Sequence, residues 1–114
     1  SGPYLQYAHA RACSILRKAA VDDQPLTDFD DGERSLVRKL TEYSEVVDRA
    51  AKELMPHHVC TYLYELAQTF NRFYEHNRVI DDPRQAQRLR IVKLYADTLK
   101  NGLDLLGIYA PEQM

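Results

Sequence analysis

The sequence predicts an all-α bundle of four to five helices in a single domain. Three observations carry that expectation. Apolar residues recur every three or four positions through most of the chain, and no stretch alternates convincingly as a strand would. Pro25, Pro56, Pro83 and Gly107 fall at or between the ends of these periodic stretches. With 114 residues, 45% hydrophobic and 28% charged, the chain has the size and balance of one domain around one core.

The first helix is expected from about Pro3 to Ala20, because proline suits a first helical turn where its missing N–H costs nothing. Leu5, Ala8, Ala12, Ile15, Leu16 and Ala19 share its inner face. "VDDQPLTDFDD", Val21 to Asp31, lacks periodicity and reads as an acidic loop. A second helix spans roughly Gly32 to Tyr43, with Leu36, Val37 and Leu40 inward. Ser44 before Glu45 resembles a helix cap and starts a third helix, which turns Val46, Val47, Ala50, Ala51 and Leu54 inward. Met55-Pro56 ends it, and Pro56 opens a fourth helix reaching about Val79, whose core residues are Val59, Leu63, Leu66, Phe70 and Phe73. In "IDDPRQ", Asp81 or Asp82 caps the last helix and Pro83 lies near its start. Leu89, Val92, Ala96, Leu99, Leu103 and Leu106 line that helix up to Gly107. Gly107 suits the left-handed position after a helix end, with Ile108 folding back as its apolar partner.

Charge and motif content exclude several functions. Net charge is −2 and the pI is near 6.0, unlike domains that hold nucleic acid by bulk charge, whose pI exceeds about 9. A local basic stripe remains compatible. No apolar run approaches the roughly 18 residues that cross a bilayer, and no signal-peptide pattern opens the chain, so a cytoplasmic protein is expected. Cys13 and Cys60 lack CxxC spacing and are expected as buried thiols. His57, His58, Cys60 and His76 do not complete a tetrahedral ligand set, so no metal site is expected. No phosphate-cradling glycine loop, GxSxG or HExxH is present, and no catalytic residue is assigned. Glu33 and the other scattered glutamates read as solvated faces or local ion pairs. Arg84, Arg88, Arg90 and Lys93 spread around the last helix and read as a solubilising surface.

Two stripes beside the core stand out. "GPYLQYAHAR" sets Tyr4, Tyr7 and Arg11 at i, i+3 and i+7, and "FNRFYEHNR" sets Asn71, Tyr74 and Arg78 at the same spacing. Aromatic rings beside arginines offer a surface where unstacked bases stack while a cation meets phosphate. Rings at this spacing also serve simply to seal a core edge. Spacing alone favours sealing.

"YLQYAHAR" opening a helix, "YLYELAQTFNRFYE" in mid-chain, "LKNGLDLLGI" near the end and the closing "APEQM" together resemble one family. It is the C-terminal DALR anticodon-binding domain of class I arginyl-tRNA synthetases, and the resemblance covers essentially the whole chain. In that family the full enzyme joins arginine to its tRNA with ATP and magnesium, and the helical domain holds the anticodon stem and loop. The HIGH-type and KMSKS-type motifs of the catalytic domain do not occur in these residues. The resemblance therefore implies a non-catalytic C-terminal piece of a longer synthetase, without a cofactor of its own. A start at Ser-Gly-Pro without methionine agrees with such a piece. The implied partners are an arginine tRNA and the rest of the synthetase chain, with neither DNA nor membrane. Tyr4, Tyr7, Tyr74 and Met114 match family positions that meet the anticodon loop. Arg11, Asn71 and Arg78 join them on stripe geometry. The acidic loop departs from easy transfer, since it repels phosphate. The alternative of another class is a helical protein-interaction domain whose aromatic stripes dock a partner helix.

Overall fold

Apolar periodicity sets the helices of this chain, and local hydrogen bonding sets their ends. The structure, a computed structural model, describes residues 2–114. Among these residues there are five helices and no strand: α1 (Gly2–Leu16), α2 (Asp31–Thr41), α3 (Tyr43–Glu53), α4 (His57–His76) and α5 (Gln85–Leu105). The long α5 packs against α1, α2 and α4, while α2 and α3 both pack on α4. Leu5, Ala12 and Ile15 of α1 meet the apolar faces of α4 and α5 in one core, as their spacing predicts. Phe70 and Tyr95 stack with centroids 4.0 Å apart and join α4 to α5. At Gly102 a Cβ would stand 2.7 Å from Leu63 Cδ1, so the glycine permits the close approach of these helices.

Several helix ends differ from the sequence expectation, each for a local reason. α1 stops at Leu16, because the Lys18 N–H turns back to the Ile15 carbonyl and tightens the chain into a turn. α2 begins at Asp31 behind a capping box, in which Asp30 accepts the Glu33 N–H and Glu33 accepts the Asp30 N–H. Ser44 caps nothing. It lies in the first turn of α3, because Glu42 keeps helical dihedrals and passes the chain from α2 to α3 without an extended residue. α4 ends at His76, since Asn77 is extended and its side-chain amide donates to the Phe73 carbonyl at 2.9 Å. That lets Val79 turn into the core. Asp82 does take a free N–H near the start of α5, that of Arg84 at 2.8 Å, but the helix itself begins at Gln85. At its other end Gly107 is left-handed (φ 73°). The Ile108 N–H reaches the Leu103 carbonyl and the Gly107 N–H reaches that of Asp104, which is the Schellman pattern. Cys13 and Cys60 are free thiols and only partly buried. Leu54 is not inward but exposed.

The largest departure concerns the charged residues. Glu33 is fully buried, not solvated. Its carboxylate accepts from Arg84 Nη2 at 2.6 Å, Arg88 Nε at 2.8 Å and Gln87 Nε2 at 2.9 Å. Arg88 is buried as well and donates to Asp30 Oδ2 at 2.7 Å and to the Arg78 carbonyl at 2.6 Å. Arg84 also reaches the Asp28 carbonyl at 2.7 Å. Arg90 donates to the Gln24 carbonyl at 2.6 Å and so ties the acidic loop to α5. Of these four, only Lys93, paired with Asp97 on the exposed face of α5, behaves as a surface cation. The basic run of α5 is thus mostly structural.

Burial pushes the Glu33 pKa up, but the hydrogen bonds from Arg84, Arg88, Gln87 and the Asp30 N–H outweigh it and hold the carboxyl at about 2. A lowered folded pKa means stability present above the ordinary value near 4.5 and lost as pH falls toward 2. The linked free energy is about 3 kcal/mol. Glu33→Gln is expected to lower stability by about 3 kcal/mol at pH 7, because it leaves two guanidinium groups without their carboxylate. In urea unfolding, the gap between parent and variant should narrow as pH drops from 5 to 2. A gap independent of pH would contradict the assignment.

Candidate nucleic-acid interface

The N-terminal stripe forms as its spacing requires, on the flank of α1 that faces α4. Tyr4 lies with one ring face on Tyr64 of α4, centroids 5.1 Å apart and planes 2° from parallel. The Asn71 amide donates to the Tyr4 hydroxyl at 3.3 Å, and Arg11 Nη1 donates to Asn71 Oδ1 at 3.4 Å. The Arg11 guanidinium also lies over the Tyr74 ring, 6.0 Å from its centroid. Tyr74 in turn stacks on Phe70, centroids 5.7 Å apart. Tyr4, Arg11, Asn71 and Tyr74 therefore make one connected patch across α1 and α4.

The rings differ in what they leave open. Tyr7 is 57% exposed and Tyr4 38%. Tyr4 has one face on Tyr64, and Tyr74 meets both the Phe70 ring and the Arg11 guanidinium. Beneath them Tyr95 is fully buried, and burial pushes its phenol pKa above the usual tyrosine range. Its hydroxyl has no hydrogen-bond partner among the described residues.

The chain end supplies a further wall. After Gly107 the tail runs back along α1 and is held by its carbonyls. Gln6 Nε2 donates to Tyr109 O at 2.9 Å, His9 Nδ1 to Pro111 O at 2.7 Å, and Arg17 Nη1 to Glu112 O at 3.0 Å. His9 is buried beneath the tail. Cys13 Sγ lies 3.7 Å from His9 Nε2, and burial pushes that thiol pKa up. Met114 itself is 60% exposed at the end of the tail. With Tyr7, Arg11, Ser14, Arg17 and Gln113 it lines an open cleft of about 350 Å³. The cleft thus has an open ring, two guanidinium groups and an apolar thioether along its rim.

Six of the seven residues singled out in the sequence are gathered here, in the patch or in the adjoining cleft. Arg78 is not on the stripe, because α4 ends at His76. Its Nε donates to the Ile80 carbonyl at 2.8 Å. No helix is long and apolar enough to cross a membrane among the described residues.

Residues 5–114 match the model of a family described as the DALR anticodon binding domain. The chain belongs to this family. It is 46% identical over 120 residues to an arginine–tRNA ligase of Methanothrix thermoacetophila, and covers all of this chain but 21% of that relative. An arginine–tRNA ligase of Pectobacterium carotovorum is 43% identical over 122 residues, with the same coverage of 100% and 21%. Among solved structures, Thermus thermophilus arginyl-tRNA synthetase superposes with a TM-score of 0.91 at 42% identity, covering 100% of this chain and 21% of that one. The Plasmodium falciparum enzyme gives a TM-score of 0.86 at 26% identity, again over 100% and 21%. The chain therefore spans about a fifth of the length of the relatives it matches, 21%.

Gln6, His9 and Arg17, which place the tail of this DALR domain, escape sequence reasoning. Gln6 and His9 fall off the aromatic stripe, and their partners are backbone carbonyls a hundred residues away. The one available signal is His9 itself, a polar ring next to the apolar face of α1. His9→Ala leaves the Pro111 carbonyl without its donor, and is expected to cost about 1–3 kcal/mol locally. Carboxypeptidase should then trim the last residues several times faster than in the parent chain. Equal trimming rates would mean that the histidine does not hold the tail.

Proposed function

We propose that the patch and cleft formed by α1, α4 and the tail receive the anticodon loop of an arginine tRNA, within a longer arginine–tRNA ligase. The observation that carries this reading is the convergence of Tyr7, Arg11 and Met114 on one open cleft beside the Tyr4–Asn71–Tyr74 patch, in a DALR domain. An anticodon loop presents unstacked bases and closely spaced phosphates. Tyr7 gives a base an open ring face, and stacking of this kind is worth about 1–3 kcal/mol per base. Arg11 and Arg17 on the same rim supply charge for phosphate. Met114 adds an adaptable apolar contact whose position is set by the tail's backbone and not by its own packing.

The arrangement also divides the labour among the tyrosines. Tyr74, stacked on Phe70 and capped by Arg11, orients the guanidinium more than it offers a free face. Charging of the tRNA, which takes ATP and magnesium, belongs to the part of the parent outside this chain. The residues present do not fit a metal: among those described, no three His, Cys, Asp or Glu side chains converge as ligands would. A cytoplasmic location follows from the same reading. Docking of a partner helix on the aromatic stripes is less favoured, because the stripes are tied to each other through Asn71 and carry two arginines at their rim.

In the parent enzyme, Tyr7→Ala should weaken tRNA binding by about 1–3 kcal/mol and leave ATP and arginine binding unchanged. Tyr4→Ala should cost less, since Tyr64 already covers one of its faces. Equal tRNA dissociation constants for Tyr7→Ala and parent would overturn the reading. Arg11→Gln should weaken binding and reduce the slope of log affinity against log salt by about one. An unchanged slope would remove Arg11 from phosphate contact.

A further inference from the structure

We propose that the apolar groove between the end of α3, the start of α4 and the end of α5 seats the polypeptide that precedes residue 1 in the parent synthetase. This rests on the reading of the chain as one part of a longer arginine–tRNA ligase. The groove holds about 320 Å³, and its walls include Val47, Leu54, Pro56, Val59, Leu105 and Leu106, with no polar side chain among its lining. Leu54 is 87% exposed and Leu105 56%, with Met55 partly exposed beside them. Contiguous large apolar side chains of this kind mark a surface that another group covers.

The backbone sharpens the point. Leu54 sits in the left-handed region (φ 55°, ψ 40°) and ends α3. The Met55 N–H reaches the Ala50 carbonyl and the Leu54 N–H that of Ala51, the same Schellman pattern that ends α5 with a glycine. Glycine suits this position and leucine is strained in it. The chain thus carries its most exposed large apolar side chain where the local backbone disfavours any side chain.

Charge, contact area and the point of chain entry together select the occupant. A polyanion gains nothing from a groove without a cation, which sets this surface apart from the arginine-rimmed cleft. A second copy needs far more contact, because stable dimers engage about 20–30 residues a side. A tethered segment needs less, since its linkage supplies a high effective concentration. The point of entry also fits. A Cβ on Gly2 would stand 3.6 Å from Ile108 Cδ1, so the chain enters α1 beside the turn that follows Leu105 and Leu106. The relatives extend well beyond the 21% that this chain covers.

Hydrogen–deuterium exchange on the full-length parent and on the 114-residue chain tests this. Amides of segments 54–59 and 103–108 are expected to exchange at least tenfold more slowly in the parent. Leu54→Asp in the parent should remove that extra protection while the rest of the domain keeps its exchange pattern. Equal rates in the two proteins would overturn the proposal. Protection of the short chain that grows with its concentration would assign the groove to a second copy, and protection that appears only with tRNA would assign it to RNA; either result overturns it. A tRNA titration on the same samples separates the two readings. Slow exchange with no tRNA binding defeats the RNA reading alone, and tRNA binding without slow exchange defeats the groove alone.

Discussion

A single buried carboxylate organises this bundle. Glu33 draws Arg84, Gln87 and Arg88 onto α2 from a segment about fifty residues later in the chain. Arg88 then binds the Arg78 carbonyl and fixes the turn between α4 and α5. Burying such charges is not a cheap route to stability, since an apolar set of the same shape often does as well. Its effect here is to set register. Sliding α5 by one turn would leave a buried carboxylate and a buried guanidinium unpaired, each costing far more than a misplaced leucine. With its first turn held, α5 lies along α1 and α4, and Tyr95 meets Phe70.

The candidate interface depends on that register at one remove. Phe70, held by Tyr95, supports Tyr74, and Tyr74 supports Arg11. At the other end of α5, the turn at Gly107 sends the tail back along α1, where three side chains take its carbonyls. Both walls of the cleft are therefore consequences of where α5 starts and stops. The hydrogen bonds that hold the tail go to its backbone, and of its side chains Ile108 and Ala110 pack on the core. Met114, like Tyr109, is left exposed to meet something outside the domain.

Much of this is legible in the sequence, and what is not depends on tertiary pairing or on where a helix ends. The helical class, the core faces, Gly107 and the Tyr4–Tyr7–Arg11 stripe follow from 3.6-residue periodicity and left-handed turn chemistry, which are local. Glu33 and Arg88 read as surface residues because a charged residue on an amphipathic helix is usually solvated, and only tertiary pairing reverses that. The Asp30-x-x-Glu33 spacing was the available hint of a capping box, and Arg84 and Arg88 one turn apart were the hint of a shared partner. Arg78 lies off the stripe because Asn77 ends the helix before it, which periodicity does not register. Periodicity puts Leu54 in the core, yet α3 ends beneath it and turns it outward. The tail's anchors leave a single local signal, the His9 ring beside the apolar face of α1, since they pair residues 6, 9 and 17 with carbonyls near the other end of the chain.

In the proposed reading, the cleft between α1 and the tail, beside the α4 patch, receives an anticodon loop in the parent enzyme. Nucleotide-resolution footprinting of an arginine tRNA bears on it most directly, with the parent enzyme compared with a Tyr7→Ala, Arg11→Gln double variant. At concentrations that saturate both proteins, the variant is expected to lose protection at the anticodon-loop nucleotides and keep it at the acceptor end. Undiminished protection of the loop in the variant would contradict the account.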